Sequence, residues 1–404
     1  MSALFIVRQP IYNRTRHVYG YELIYRRGRA ARRAGKEASR VPVSQAALST
    51  FVDIGLDDLT GARMAFVRLS RDFLRAGRSL PLPGSRMAIE VPTNGVVDKK
   101  LIRGMTGLAE QGCVIVLNAF VYREASERLL RIANIVTLDI QALSEEDLRQ
   151  HVGLLQEYGH LKLLASKVEM QEEYEVCREL GFHLFQGAFF SRPRIIKRKR
   201  ITRKQAALVQ LLSELQRSDT SVARLETLIN RDTGLRYKLL RFINSAFFGL
   251  AKPIESIQRA TVLLGTQVIQ HWSTLLVMAR IENKPQELMV VAVVRARMCV
   301  LLAEALGHDE TDVFFTIGLM SVLDALFDME MDKVLGMLTM DNTVKGALLT
   351  REGDGGTLLD LVLHYELAEW RQLARGVLDE EAIKNAYLQS IAWAMQACRT
   401  LLGD

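Results

Sequence analysis

Over residues 1–195 short apolar runs change places with amphipathic stretches of helical period. The runs at 3–8, 18–24, 64–70, 87–91, 113–118, 135–139, 161–165 and 183–190 read as strands, and 41–54, 98–111, 122–133, 143–157 and 170–180 read as helices. Repeated strand–helix alternation predicts a parallel sheet. Eight strand candidates in fewer than 200 residues predict that the sheet closes into a TIM-like (β/α)8 barrel instead of opening into a doubly wound sheet. From residue 201 the period changes. Ala207, Leu208, Leu211, Leu212 and Leu215 share one helical face, a turn follows at Asn230–Gly234, and Leu235, Leu239, Leu240 and Ile243 resume the period. The expected architecture is an α/β barrel over 1–195, a basic segment over 196–205 and an all-α domain over 206–404. Pro193 and the basic run after it read as an exposed linker or the start of a basic helix.

The length of 404 residues calls for two or three domains, and 49% hydrophobic with 25% charged residues is ordinary globular composition. A net charge of +7 raises nucleic acid or an anionic membrane as partners. Divided by domain, the charge is +13 over 1–205 and −6 over 206–404, with the basic residues gathered in two strips at Arg8–Arg40 and Arg192–Lys204. These strips lack the interleaved aromatics of a stacking platform, so nucleic acid is set aside as a partner. A ligand rim and an interdomain contact are the better reading. Cys113, Cys177, Cys299 and Cys398 form no CxxC pair, which excludes a zinc knuckle and a disulfide framework and predicts buried free thiols. The N-terminus has no basic n-region before its short apolar run. The apolar segment Leu288–Leu306 is interrupted by Arg295, Arg297 and Glu304, so no membrane insertion is expected. A soluble cytoplasmic protein follows as an expectation.

Several residues carry candidate chemistry. Glu22, Glu90, Asp139, Glu169 and Gln186 each fall at or just beyond the end of a strand, which is the active-site face of such a barrel. No GxGxxG follows the first strand and no GxxxxGK[ST] occurs, and Gly353–Gly356 reads as a plain loop. The pair His308-Asp309 reads as a chance dipeptide in a loop, His271-Trp272 as core, and Cys113 as an inert thiol. Asp324 and Asp328, one turn apart, read as a solvated helix face.

Two motif sets carry a family resemblance. Arg8-Gln9-Pro10-Ile11-Tyr12, then Tyr19-Gly20-Tyr21-Glu22-Leu23-Ile24-Tyr25-Arg26, and at the far end Phe185-Gln186-Gly187-Ala188-Phe189-Phe190-Ser191-Arg192-Pro193, resemble the EAL domain, a cyclic di-GMP phosphodiesterase barrel. Arg231-Asp232-Thr233-Gly234-Leu235, Leu240-Arg241-Phe242-Ile243-Asn244-Ser245-Ala246 and Ile254 through Leu263-Leu264-Gly265 resemble the HDOD domain, a non-catalytic relative of HD hydrolases. Together they cover nearly the whole chain in the order EAL then HDOD.

The resemblance implies a hydrolase with two Mg²⁺ or Mn²⁺ ions, which need several oxygen ligands. Glu22 and Glu90 match two of those ligands. The expected asparagine is Arg68, the paired aspartates are Asn118 and Ala119, the water-positioning lysine is Thr137, and the remaining glutamates are Ser166 and Thr93. Like charges 4 Å apart cost about 1 kcal/mol in water and more where partly buried, so Arg68 opposes a metal and is expected to pair with Glu22 and Glu90 instead. In the helical domain the His-Asp dyad positions read Ser321 and Val322. The sequence-based expectation is therefore a chain without enzymatic activity, metal or cofactor: a signalling scaffold with a degenerate barrel and a protein-binding HDOD domain. A metal-independent cyclic di-GMP receptor and a weak cyclic di-GMP phosphodiesterase are the alternatives. By resemblance Gln9, Glu22, Arg26, Asp139, Glu169, Gln186 and Arg192 are the nucleotide contacts, an unidentified signalling protein is the partner, and the chain forms a homodimer.

Overall fold

The structure, a computed structural model, describes residues 4–27, 48, 51–52, 54–93, 96–120, 122, 127–190, 202–217, 220–282, 284–369 and 378–403. Its contacts divide the chain into two units, Met1–Phe189 and Phe190–Asp404. In the first, strands β1 (Leu4–Asn13), β2 (Val18–Arg27), β3 (Met64–Arg68), β4 (Met87–Pro92), β5 (Val114–Asn118), β6 (Ile135–Asp139), β7 (Lys162–Ser166) and β8 (Leu184–Phe185) pair in sequence order and close into a barrel. Helices α1 (Leu56–Thr60), α2 (Arg71–Arg75), α3 (Lys99–Glu110), α4 (Glu127–Leu130), α5 (Glu145–Gln156) and α6 (Gln171–Glu179) alternate with the later strands.

The expectation of a wholly parallel sheet needs correction at one strand. From β2 to β8 the strands run parallel, but β1 is antiparallel to both β2 and β8. The link between β1 and β2 is only a tight turn, closed by Asn13 N–H to the His17 carbonyl at 2.9 Å and by the Asn13 side chain accepting from the Thr15 and His17 amides, each at 3.0 Å. So short a link permits only a hairpin, because a parallel return needs a crossover of a dozen residues or more. The last strand is also shorter than the run 183–190 suggests. At Gly187 the chain passes so close to the Val168 backbone that a Cβ would stand 1.9 Å from its carbonyl oxygen, and a single 3₁₀ turn (Ala188–Phe190) follows.

The barrel interior is filled in layers, as the period of two dictates. Ile11, Phe66, Ala88, Val116, Ile135, Leu164 and Leu184 form an apolar layer. Two residues toward the mouth on the same faces stand Gln9, Arg68, Glu90, Asn118, Thr137, Ser166 and Gln186, joined by Glu22 from β2. One polar residue per strand thus sits above an apolar plug.

The second unit is helical: α7 (Arg203–Leu215), α8 (Val222–Asn230), α9 (Thr233–Ile243), α10 (Ile257–Leu264), α11 (Thr266–Met278), α12 (Glu287–Ala305), α13 (Asp312–Met320), α14 (Leu323–Phe327), α15 (Met331–Gly336), α16 (Asn342–Leu349), α17 (Gly353–Glu366) and α18 (Glu380–Leu402). Residues 203–205 of the expected linker are the first turn of α7, capped by the Thr202 hydroxyl, which accepts from the Gln205 amide; 196–201 lie outside the described residues. α12 carries apolar residues on every face because it is the central helix, buried along most of its length. Among the described residues no helix is long and apolar enough to cross a membrane. Gly353 to Gly356, read as a loop, is the first turn of α17.

All four cysteines are free and buried. Burial holds the Cys177 and Cys299 thiols up at about 12 and raises that of Cys113. The thiolate is the reactive form, so the native chain should take up less than one equivalent of a thiol reagent per molecule at pH 8 within an hour. Four equivalents should react in guanidinium chloride. Rapid labelling of the native protein would contradict this packing.

Candidate functional site

The polar layer is a connected network. Glu22 and Glu90 are buried, at 3% and 4% exposure. Arg68, the last residue of β3, holds Glu90 Oε2 with two donors, Nε at 3.1 Å and Nη2 at 2.9 Å. The same Nη2 lies 3.8 Å from Glu22 Oε1. Asn118 Nδ2 donates to Glu90 Oε2, and Gln186 Nε2 donates to Glu22 Oε2 at 2.7 Å. Four strand ends, and Glu22 from the middle of β2, therefore meet as two carboxylates with one guanidinium between them. β2 runs on to Arg27 instead of ending near Ile24, as the sequence suggested. The salt bridge expected from the sequence is formed. Buried carboxylates require such partners, since an isolated buried charge is far too costly.

The remaining candidates lie around this centre. Thr137 is buried and Ser166 donates to the Leu138 carbonyl at 3.1 Å, so both serve the barrel wall. The Thr93 hydroxyl stands 3.2 Å from the Asn118 carbonyl and 3.1 Å from that of Ala119. Ala119 has φ 48°, a left-handed conformation that a non-glycine residue adopts only under local constraint. Asp139 pairs with Lys167 at 2.5 Å and accepts from the Gln141 amide. Glu169 lies exposed on the loop after β7. Gln9 pairs in register with Glu22 across β1 and β2. The Arg26 side chain and all of Arg192 lie outside the described residues.

The helical unit has a centre of its own at the expected dyad positions. Val322 is core, at 1% exposure. Ser321 accepts from Arg295 Nη1 at 3.2 Å and donates to the Gly318 carbonyl at 2.7 Å. Arg295 pairs with Glu366 at 2.8 Å. Asp324 was read as part of a solvated face, and that reading is corrected: burial raises its carboxyl against the opposing pull of Arg295 and Arg351. Asp328 is likewise enclosed and pairs with Lys284 at 2.5 Å. The signal for this network was present as Arg295 within an apolar helix, since a charge there demands a buried partner. His308 stands 3.5 Å from Asp354 and against the Phe314 ring.

A divalent metal pair, which the EAL resemblance implies, does not fit the mouth as it stands. The Arg68 guanidinium lies between the two carboxylates that would hold it, and Glu90 Oε2 already receives three N–H donors. Among the described residues no group of three or more His, Cys, Asp or Glu is placed to hold a metal ion.

A barrel with a polar, carboxylate-bearing mouth followed by a helical unit defines a two-module protein. Residues 203–339 match the HDOD domain family. The chain is 31% identical to the cyclic di-GMP phosphodiesterase CdgJ of Vibrio cholerae, over 99% of this chain and 94% of that one. It is 29% identical to the Bacillus subtilis protein YuxH, over 96% and 98%. This chain belongs to the EAL–HDOD family. Among solved structures it is similar to Klebsiella pneumoniae BlrP1 in a calcium and cyclic di-GMP complex (16% identity, 47% of this chain, 55% of that chain, TM-score 0.38). It is also similar to the Pseudomonas aeruginosa FimX EAL domain bound to cyclic di-GMP (16%, 46%, 89%, TM-score 0.36). The match thus spans about half the length of the Klebsiella chain.

One expectation is overturned. The substituted positions predicted a chain without enzymatic activity, yet a relative matching over the full length is named a phosphodiesterase. Arg68, Asn118 and Ala119 alter the mouth, but substitution at matched positions is not sufficient ground for excluding catalysis.

Proposed function

We propose that this chain is a cyclic di-GMP phosphodiesterase of a signalling pathway, working at the mouth of its barrel. The observation that carries the reading is the guanidinium of Arg68. It is committed to Glu90 through Nε and Nη2, while among the described residues Nη1 makes no hydrogen bond. The Arg68 side chain is about one-fifth exposed, and a guanidinium held by one edge can offer its remaining donor to a non-bridging phosphate oxygen. The name of the Vibrio relative supports the choice of ligand and reaction.

On this reading Arg68 orients the phosphodiester and stabilises the charge that grows on its oxygen as water adds. The Glu22 carboxylate, 3.8 Å from Nη2, accepts the proton of that water. A new P–O bond forms, the ribose oxygen leaves with a proton, and the ring opens to a linear dinucleotide. Gln186 holds the Glu22 carboxylate in place at 2.7 Å. The HDOD unit passes the ligand state to a partner protein, and large apolar side chains directed outward at Tyr237, Val262 and Leu263 support that role.

The test is chromatographic conversion of cyclic di-GMP to the linear product by wild type and by Glu22→Gln. Loss of a general base should slow turnover about 100-fold while calorimetry still detects ligand binding. Equal rates in both proteins, or no product from either, would overturn the assignment.

A further inference from the structure

We infer that the floor of the barrel, at the end opposite the mouth, binds a small soluble oligophosphate such as pyrophosphate. This goes beyond the proposed hydrolysis and uses none of its residues. β1 runs antiparallel to both neighbours, so its last residues and the turn after it lie away from the mouth. That turn carries Arg14 and Arg16, which belong to the basic strip at Arg8–Arg40 read from the sequence as a ligand rim. Lys162 opens β7 and His183 immediately precedes β8, at the same end of the barrel. The register brings them together: Asn13 pairs with Leu184, and Arg14 Nη1 donates to the Phe182 carbonyl at 3.0 Å. The Leu163 amide donates to His183 Nδ1 at 3.2 Å. Arg178, in the last turn of α6, completes the group.

Aromatic rings position these cations. Tyr174 is buried, and its hydroxyl donates to the Arg14 carbonyl at 3.1 Å. The Arg16 and Arg178 guanidinium carbons stand 5.3 and 5.9 Å from the centre of the same ring. Lys162 Nζ lies 5.4 Å from the centre of the Tyr19 ring. His183 Nε2 carries the ring hydrogen, because Nδ1 is the acceptor. Burial, then the charges of Arg14 and Lys162, hold this imidazole below the usual histidine range, so both cations act on one place. Among the described residues Arg14, Lys162, Arg178 and His183 pair with no carboxylate. Cations gathered without a counter-charge repel one another, and phosphate oxygens relieve that through charge-assisted bonds. Arg14, Lys162 and Arg178 together carry more positive charge than a single orthophosphate balances, which selects an oligophosphate. In the β1–β2 turn, β7, α6 and β8 no large apolar side chain is exposed among the described residues. A lipid surface would engage such side chains, so the phosphate is a soluble one.

Calorimetric titration of the full-length chain with inorganic pyrophosphate, at low salt and with a chelator present, tests the inference. The double variant Lys162→Gln with Arg178→Gln should bind about tenfold more weakly than wild type or worse, the loss expected when a charge-assisted bond is removed. Lys162→Arg, which keeps the charge, should retain the binding, and Arg68→Gln at the mouth should leave it unchanged. If the double variant does not fold, Lys162→Gln alone carries the same test, because that side chain is exposed. Equal affinity in wild type and the floor variants would overturn the proposal, as would no heat from wild type at about 1 mM pyrophosphate. A loss in Arg68→Gln as large as that in the floor variants would assign the anion to the mouth and overturn it too. Sedimentation with phosphatidylcholine vesicles carrying phosphatidic acid separates the two sources of phosphate: retention that the floor variants lose would overturn the soluble ligand. As no cyclic di-GMP is present, failure of the hydrolysis reading leaves the inference untouched.

Discussion

Gly318→Leu should destabilise the helical unit by about 3 kcal/mol or more, the upper range for overpacking. Gly318 lies in α13, where the helix crosses α12 at Ala296. A Cβ at this position would stand 2.5 Å from both the Cα and the backbone nitrogen of Ala296. Those neighbours are backbone atoms of a buried helix, so no rotamer change relieves the overlap and the helices must separate. Separation opens gaps in the layer around α12, where packing loss is most costly. The same crossing carries the Ser321 acceptor and the Arg295–Glu366 pair. The expected reading is a fall of about 6–12 °C in Tm for a unit of this size. A shift below about 2 °C in thermal denaturation would show that the crossing is looser than described.

The second large effect is on stability in mild acid. His271 lies in α11, stacks on Phe315 with ring centroids 4.4 Å apart, and is buried. Its Nε2 is 3.0 Å from the Thr316 hydroxyl, which donates its one hydrogen to the Asp312 carbonyl. The imidazole is therefore the donor to Thr316. Burial drives its pKa down from 6.5 to about 3. A folded-state pKa below the unfolded value means that the unfolded chain binds the proton first, so stability is complete above pH 6.5 and is lost as pH falls toward 3. At pH 5 the loss is about 2 kcal/mol, from about 1.4 kcal/mol per pH unit. Urea denaturation at pH 7.5 and pH 5 should show this loss in wild type and much less of it in His271→Gln. The comparison is needed because Asp and Glu residues titrate in the same range. An identical pH dependence in the two proteins would remove His271 as the cause.

Not all of the site was equally legible. Glu22, Glu90 and Gln186 could be picked from the chain because inward positions of a barrel strand recur every second residue, so a polar residue near a strand end points at the mouth; Arg68 and Asn118 were picked by the EAL resemblance. The pairing of Arg68 with both glutamates followed from the EAL resemblance, which put Arg68 at a metal-holding position, together with its charge. Glu169 was not so constrained. It lies on a loop, where the strand period no longer applies, and is exposed. Asp324 was misread because of its place in a short helix. Asp324 and Asp328, spaced one turn apart, suggest an exposed face, but Asp324 begins the short helix α14 and Asp328 ends it with φ 54°. Tertiary contacts with Arg295 and Lys284 then enclose both.

The chain by itself determined which elements form, that eight strands make a barrel and a helical unit follows, and where the polar layer stands. These depend on local periods and short links, which the order of residues specifies directly. Tertiary structure decided two things. The approach of Gly187 to Val168 cut β8 to two residues, and the closed ring of strands brought Glu22 and Glu90 around one guanidinium. Both depend on distances between residues apart in sequence, such as the 164 positions separating Gln186 from Glu22. Periodicity carries no information about which of those distances the barrel closes.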